Sequence, residues 1–231
     1  TTGANNTAIG TQALTGNTTA SNNVAVGKNA LQDNSTGSEN TAVGTAAAHE
    51  LTTGVRTVAI GYNAGGALTT GDSNVAIGYQ AGMRIMSGST DSVTLVGYFA
   101  GYQMSGSNTF VGYNSGYGSV TSAPYGSGEH NTALGHNSLY NLSTGHSNVA
   151  IGYEAGKDIS TGHENTIVGY QAGENVTTAD NNVIMGFQAG QSLTTARYNV
   201  LIGDGAGQNL TALNANNENV FIGNSAGRMA D

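Results

Sequence analysis

The side chains best suited to chemistry in this 231-residue chain are five histidines, His49, His130, His136, His146 and His163, and a thin scatter of carboxylates. Imidazole serves as general acid, general base or metal ligand near neutral pH. His146 and His163 are separated by the same interval as Asn148 and Asn165 or Gly152 and Gly169, a spacing that stacks them if the chain coils with that period. A structural or catalytic metal would need further ligands at matching places. The sequence offers no third ligand, so neither a metal nor any other cofactor is expected. Glu129, Glu164 and Glu218 read as members of a surface row, whereas glycoside hydrolysis needs two carboxyls held at a set distance across a cleft. The calcium-binding G-G-x-G-x-D repeat, a Walker phosphate loop and H-E-x-x-H are absent. Asn17 and Asn209 open N-x-[ST] triplets, which a chain this rich in Asn and Thr produces by chance. The expectation is a protein that is not an enzyme.

Composition narrows the partners. The net charge is −8, with six Lys and Arg spread along the chain, so the concentrated basic surface that nucleic acid requires is missing. No run approaches 18 apolar residues, and no charged-then-apolar leader opens the sequence, so no membrane insertion is expected. Any secretion or anchoring element would lie outside this stretch. Cysteine is absent, which removes disulfides and thiolate metal sites without fixing a compartment. The 36 glycines do not recur every third residue and Pro124 is the only proline, which excludes collagen.

What positions every one of these residues is a repeat. Its pattern, x-Asn-(Thr/Val)-x-(Ile/Val)-Gly-x-x-(Ala/Ser), places the glycine at Gly10, Gly27, Gly44, Gly61, Gly78, Gly97, Gly112, Gly135, Gly152, Gly169, Gly186, Gly203 and Gly223. The steps follow a 17-residue period, changing to 19, 15 and 23 in the middle and to 20 before the last copy. A period in this range marks a solenoid. The reading is one continuous all-β domain, 1–231: a parallel β-roll or β-solenoid of about 13 coils, irregular with insertions over 73–129 and with a long coil over 198–217. Neither end carries a polar capping element, which suggests a piece of a longer fibre.

Within a coil the third and fifth positions, such as Val58 and Ile60, are β-branched or aliphatic and share one face of a short strand. That face is expected inside the coil. A second aliphatic row (Leu51, Leu68, Leu142, Ile159, Val176, Leu193, Leu210), followed by Thr-Thr or Ser-Thr, predicts a second strand. The fourth position drifts from alanine to Leu95, Phe110, Ile167, Ile184, Leu201 and Phe221. On the face away from the interior, that row would be a sticky stripe, and it is expected to be the face where copies of the chain meet in a trimer.

Other rows read as structural ladders: asparagine at the second position (Asn74, Asn148), the glycine itself (Gly78, Gly152) and an aromatic after it (Tyr79, Tyr153). Phe99, Tyr102, Tyr117 and Tyr125 fall in the irregular centre, where the repeat does not require them. They are the binding candidates for a receptor or glycan. A threonine row (Thr19, Thr36, Thr53, Thr70, Thr144, Thr161, Thr178, Thr195) raises ice binding as a rival. That would need alternate rather than adjacent threonines on a flat face.

The stretch Asn74-Val75-Ala76-Ile77-Gly78-Tyr79-Gln80-Ala81-Gly82, with its Asn-V-A-I-G-x-x-A core, resembles the head repeats of trimeric autotransporter adhesins. The longer form, N-T-A-(I/V)-G-Y-x-A-(L/G) followed by T-T-G, is similar to repeats of phage tail-fibre and related surface-fibre proteins. The resemblance covers Asn6 to Gly227. It implies a left-handed roll packed as a homotrimeric rod, an extracellular place on a virion tail or cell surface, and host attachment as the task. A self-assembling extracellular filament or surface-layer subunit is the alternative.

Overall fold

A computed structural model of the chain describes residues 2–84, 92–119, 126–210 and 218–228. They fall into two compact units, Thr1–Val111 and Gly112–Asp231, each built from the same coil. The first unit holds β1 (Thr7–Ile9), β2 (Val24–Val26), β3 (Thr41–Val43), β4 (Val58–Ile60), β5 (Val75–Ile77), β6 (Thr94–Val96) and β7 (Thr109–Val111). The second holds β8 (Thr132–Leu134), β9 (Val149–Ile151), β10 (Thr166–Val168), β11 (Val183–Met185), β12 (Val200–Ile202) and β13 (Val220–Ile222). No helix occurs among the described residues. Within each unit consecutive strands pair in parallel, one coil on: Val58 lies opposite Val75 and Ile60 opposite Ile77, and Val149 lies opposite Thr166. Each unit is therefore a parallel β-solenoid.

The glycine after each strand explains the strictness of the repeat. Gly78 has φ +134 and Gly152 φ +134, a region that side chains disfavour. A Cβ on Gly78 would run into the carbonyl oxygen of Gly97, and one on Gly152 into that of Gly169. The backbone N–H of Gly78 meanwhile donates to the Ile60 carbonyl at 2.8 Å, so the stacked glycines continue the ladder past the strand.

Asparagine holds the other end of the strand. Asn148 donates from Nδ2 to the Gly162 carbonyl at 2.8 Å and to Asn131 Oδ1 at 3.0 Å, and its own Oδ1 accepts the Asn165 backbone N–H at 3.1 Å. Asn74 Oδ1 accepts the Val93 N–H at 3.1 Å. Both side chains are buried. Each such amide ties its own coil to a neighbour and satisfies groups that burial would otherwise strand.

The two strand faces are the reverse of the sequence expectation. The third and fifth positions point outward: Val24 and Val43 are each 36 % exposed, and Ile60 and Ile151 each 37 %. The fourth position points in. Ala25, Ala59, Leu95, Phe110, Ile167, Ile184 and Leu201 are buried within a single chain, and Phe221 is half-buried. The expected trimer face is thus core, and in part of the chain its drift from alanine to larger groups matches a change across the coil, although Ala59 with Gly65, Ala76 with Gly82 and Ala150 with Gly156 are small at both places. Where the position four residues after the glycine is Leu31 or Leu139, the fourth position is Ala25 or Ala133. Where it is Gly101, Gly173, Gly190 or Gly207, the fourth position is Leu95, Ile167, Ile184 or Leu201. A Cβ on Gly101 would come within 2.5 Å of Leu95 Cδ2. Close packing allows the volume on one side of the coil or the other, not on both.

The expected second strand is also absent among the described residues. Leu51, Leu142, Ile159 and Leu193 are buried as expected of core residues, but they lie between turns and belong to no strand. The reason is local backbone geometry. Left-handed residues flank the row, as at Leu139 (φ 48) and Ser147 (φ 56), and between them the N–H groups of Ser143, Thr144 and Gly145 all converge on the Ser160 carbonyl instead of forming a ladder. Stacking survives without it, since the Thr52 hydroxyl and N–H donate to the Thr69 carbonyl at 2.9 and 2.8 Å.

Candidate functional site

The outward strand residues form the first surface feature. In β2 to β4 they are Val24, Val43 and Ile60; in β8, β9 and β11 they are Leu134, Ile151 and Met185, all at least 36 % exposed. The fifth position is Ile, Val, Leu or Met throughout, whereas the third is Val in seven strands and Thr in six, so one row of the face is apolar and the other mixes methyl groups with hydroxyls.

Beyond the glycine bend stands a column of rings. In the first unit Tyr62 stacks on Tyr79 with centroids 5.3 Å apart, and Tyr79 on Tyr98 at 5.1 Å. In the second unit Tyr113, His136, Tyr153, Tyr170 and Phe187 form one stack at 4.8 to 5.2 Å. His136 fills the gap in the aromatic row, which counting one period back from Tyr153 would have revealed. Ring faces inside a column are covered by their neighbours, leaving edges and hydroxyls outward. A sugar therefore cannot stack face-on within the column.

The central aromatic candidates separate. Phe99 meets Tyr98 edge-on at 4.4 Å and Tyr102 at 4.8 Å, and the Arg84 guanidinium lies 5.6 Å over the Tyr102 ring. This cluster of the first unit combines rings and a cation. Tyr117 belongs to the second unit and stacks on Tyr140 at 5.1 Å, a partner the sequence reading did not single out. Tyr125 lies outside the described residues.

His146 and His163 stack at 4.7 Å with planes 17° apart. Their in-plane lone pairs run side by side rather than converging on one ion, and no group of three or more metal-ligating side chains occurs among the described residues. Asp180, one coil on, is buried to 5 % side-chain exposure and fully engaged: Oδ1 lies 2.9 Å from His163 Nδ1 and accepts the His163 N–H at 3.0 Å, and Oδ2 meets Arg197 Nε at 3.1 Å. The four side chains thus make one column, His146, His163, Asp180 and Arg197. Its acidic and basic ends were not found from sequence, although each member follows the last by one coil period.

A polar comb runs beside the second unit's rings. Gln171 donates to Glu154 at 3.0 Å, Gln188 to Gln171 at 3.0 Å and Gln191 to Glu174 at 2.9 Å, while Lys157 Nζ lies 3.4 Å from Glu174 and 3.9 Å from Glu154. Burial pushes the Glu154 carboxyl up, but the Gln171 hydrogen bond, the Lys157 charge and bonds from Asn137 and Tyr153 outweigh it and hold it below the usual range. Burial likewise pushes Lys157 down, and the charges of Glu154, Asp158 and Glu174 more than reverse that. The Glu154 charge in turn raises the Tyr153 phenol. Gly223-Asn224-Ser225-Ala226-Gly227 fits the pattern G-x-S-x-G, yet Ser225 occupies the place that Gln188 fills elsewhere. Its hydroxyl donates to Asn224 at 3.2 Å, and the strand-turn-helix that arms a nucleophile does not occur there among the described residues.

No protein-family model, curated protein or solved structure matches the chain.

Proposed function

We propose that this chain is a segment of a non-enzymatic, extracellular structural and adhesive fibre, a phage tail fibre or cell-surface adhesin, in which three copies pack along their outer strand faces. The observation that carries the reading is the apolar face of β1 to β7 and of β8 to β13. Aliphatic side chains are somewhat smaller than the ~150–250 Å² that aromatic ones bury, so two partly exposed outward residues offer roughly 100 Å² of apolar surface per coil. Over six or seven coils this approaches the ~800 Å² per partner of a stable interface. The face repeats with the coil, so the surface that matches it best has the same axial repeat, which is another copy of the chain. The Phe99, Tyr102 and Arg84 cluster is the contact offered to a host surface or glycan, where a ring edge, a hydroxyl and a guanidinium meet sugar hydroxyls.

Sedimentation equilibrium tests this. A single species of three times the 23.2 kDa chain mass is expected. Mass that grows without limit as concentration rises would favour the alternative, a filament or surface-layer subunit assembling by open contacts. A monomer at all concentrations would overturn both.

A further inference from the structure

We infer that the tyrosine columns are sites of oxidative cross-linking, at which neighbouring coils become joined by dityrosine bonds. The chain has no cysteine and no tryptophan but eleven tyrosines, so tyrosine is its main one-electron donor. Three described columns set phenols in direct succession: Tyr62, Tyr79 and Tyr98 at 5.3 and 5.1 Å, Tyr153 and Tyr170 at 5.0 Å, and Tyr117 and Tyr140 at 5.1 Å. The planes of each pair lie within 14°. Tyr62, Tyr79, Tyr98, Tyr153 and Tyr170 are 40 to 48 % exposed, open to a small oxidant. The rings hang from backbones about 4.8 Å apart, so their ortho carbons start at a similar separation, and coupling requires two neighbouring rings to turn out of the stack until their ortho edges face each other.

The chemistry balances with a peroxide and a haem peroxidase as the oxidant. Each phenol gives up one electron and its hydroxyl proton to become a tyrosyl radical with spin on the carbons ortho to oxygen. Two neighbouring radicals pair to form one carbon–carbon bond, and the two ortho hydrogens move to restore both phenols. Per link, two electrons and two protons reduce one hydrogen peroxide to two waters. Holding the rings together replaces a chance encounter by an intramolecular step. The bond would close a loop about one coil long, as a disulfide closes loops in chains that have cysteine.

The experiment treats the dilute, folded protein with a haem peroxidase and hydrogen peroxide, then maps peptides joined with the loss of two hydrogens. The expected links are Tyr62 to Tyr79, Tyr79 to Tyr98 and Tyr153 to Tyr170, each about tenfold above any link to Tyr198, which is 52 % exposed but stands outside these columns. Tyr79→Phe keeps the stacked ring and removes the phenol. It should abolish linking of Tyr62 and of Tyr98 while leaving the Tyr153 to Tyr170 yield unchanged. Links that favour Tyr198, that join different chains, or that persist at Tyr62 in the Tyr79→Phe protein would overturn the inference.

Discussion

Gly173 is the space that Ile167 occupies: a Cβ built on Gly173 would come within 3.1 Å of Ile167 Cδ1. The same coil position is Leu139 where the strand residue is Ala133. The coil interior thus accepts either arrangement, with the bulk on the strand in one coil and across from it in the other.

Swapping the two arrangements tests the core. Ile167→Ala alone should cost about 2–5 kcal/mol by leaving a cavity, and Gly173→Leu alone should destabilise by overpacking and by its left-handed backbone. Combined, they should lose less than the sum of the two, because the added leucine fills the space the isoleucine leaves. Urea denaturation of the four proteins reads this directly, and strict additivity would contradict it.

Thr57 interrupts the asparagine ladder. Its backbone N–H bonds Asn40 Oδ1 at 2.8 Å, but its buried hydroxyl has no hydrogen-bond partner. Thr57→Asn should extend the ladder and raise stability by about 1 kcal/mol. Asn148→Ala should lower it by about 1–3 kcal/mol, since the Gly162 carbonyl and the Asn165 N–H lose a partner. Thermal melting of both variants measures the two signs.

The comb around Lys157 gives a pH dependence with two limbs. The Glu154 carboxyl is held below its ordinary 4.5, so its contribution is present above that value and is lost as pH falls through the lowered one. Lys157 is held above its ordinary 10.5, so its contribution is present below that value and is lost as pH rises through the raised one. Neither of these two groups changes its contribution between those values, and the Tyr153 phenol, raised from its ordinary 10.0, adds to the loss of stability on the alkaline side. Glu154→Gln should weaken the acid limb and, by removing a partner of Lys157, the alkaline limb as well.

The period, the strand positions, the glycine turn and the asparagine row were legible because each rests on residue types repeated at fixed spacing. The inside and outside of the strand were not. Val58-Ala59-Ile60 is apolar on both faces, and alternation assigns a face only when one side is polar. In the fold Ala59 is buried together with Leu68 while Ile60 is exposed, and Leu68 stands outside the strand pattern. Leu142 and Thr144 carry the apolar and β-branched signals of a second strand, while the left-handed φ of Leu139 and Ser147 on either side falls on residues that give no warning of it. The His146, His163, Asp180 and Arg197 column follows from the period alone, but histidine and carboxylate suggest chemistry before they suggest a stacked row.

The most direct measurement is the light-scattering mass of the chain beside that of Ile151→Lys, which places a charge on the outer strand face without touching the coil interior. A trimer of about 70 kDa is expected for the parent and a folded monomer for the variant. A monomeric parent, or a variant that stays trimeric, would contradict the claim that copies of the chain meet on this face.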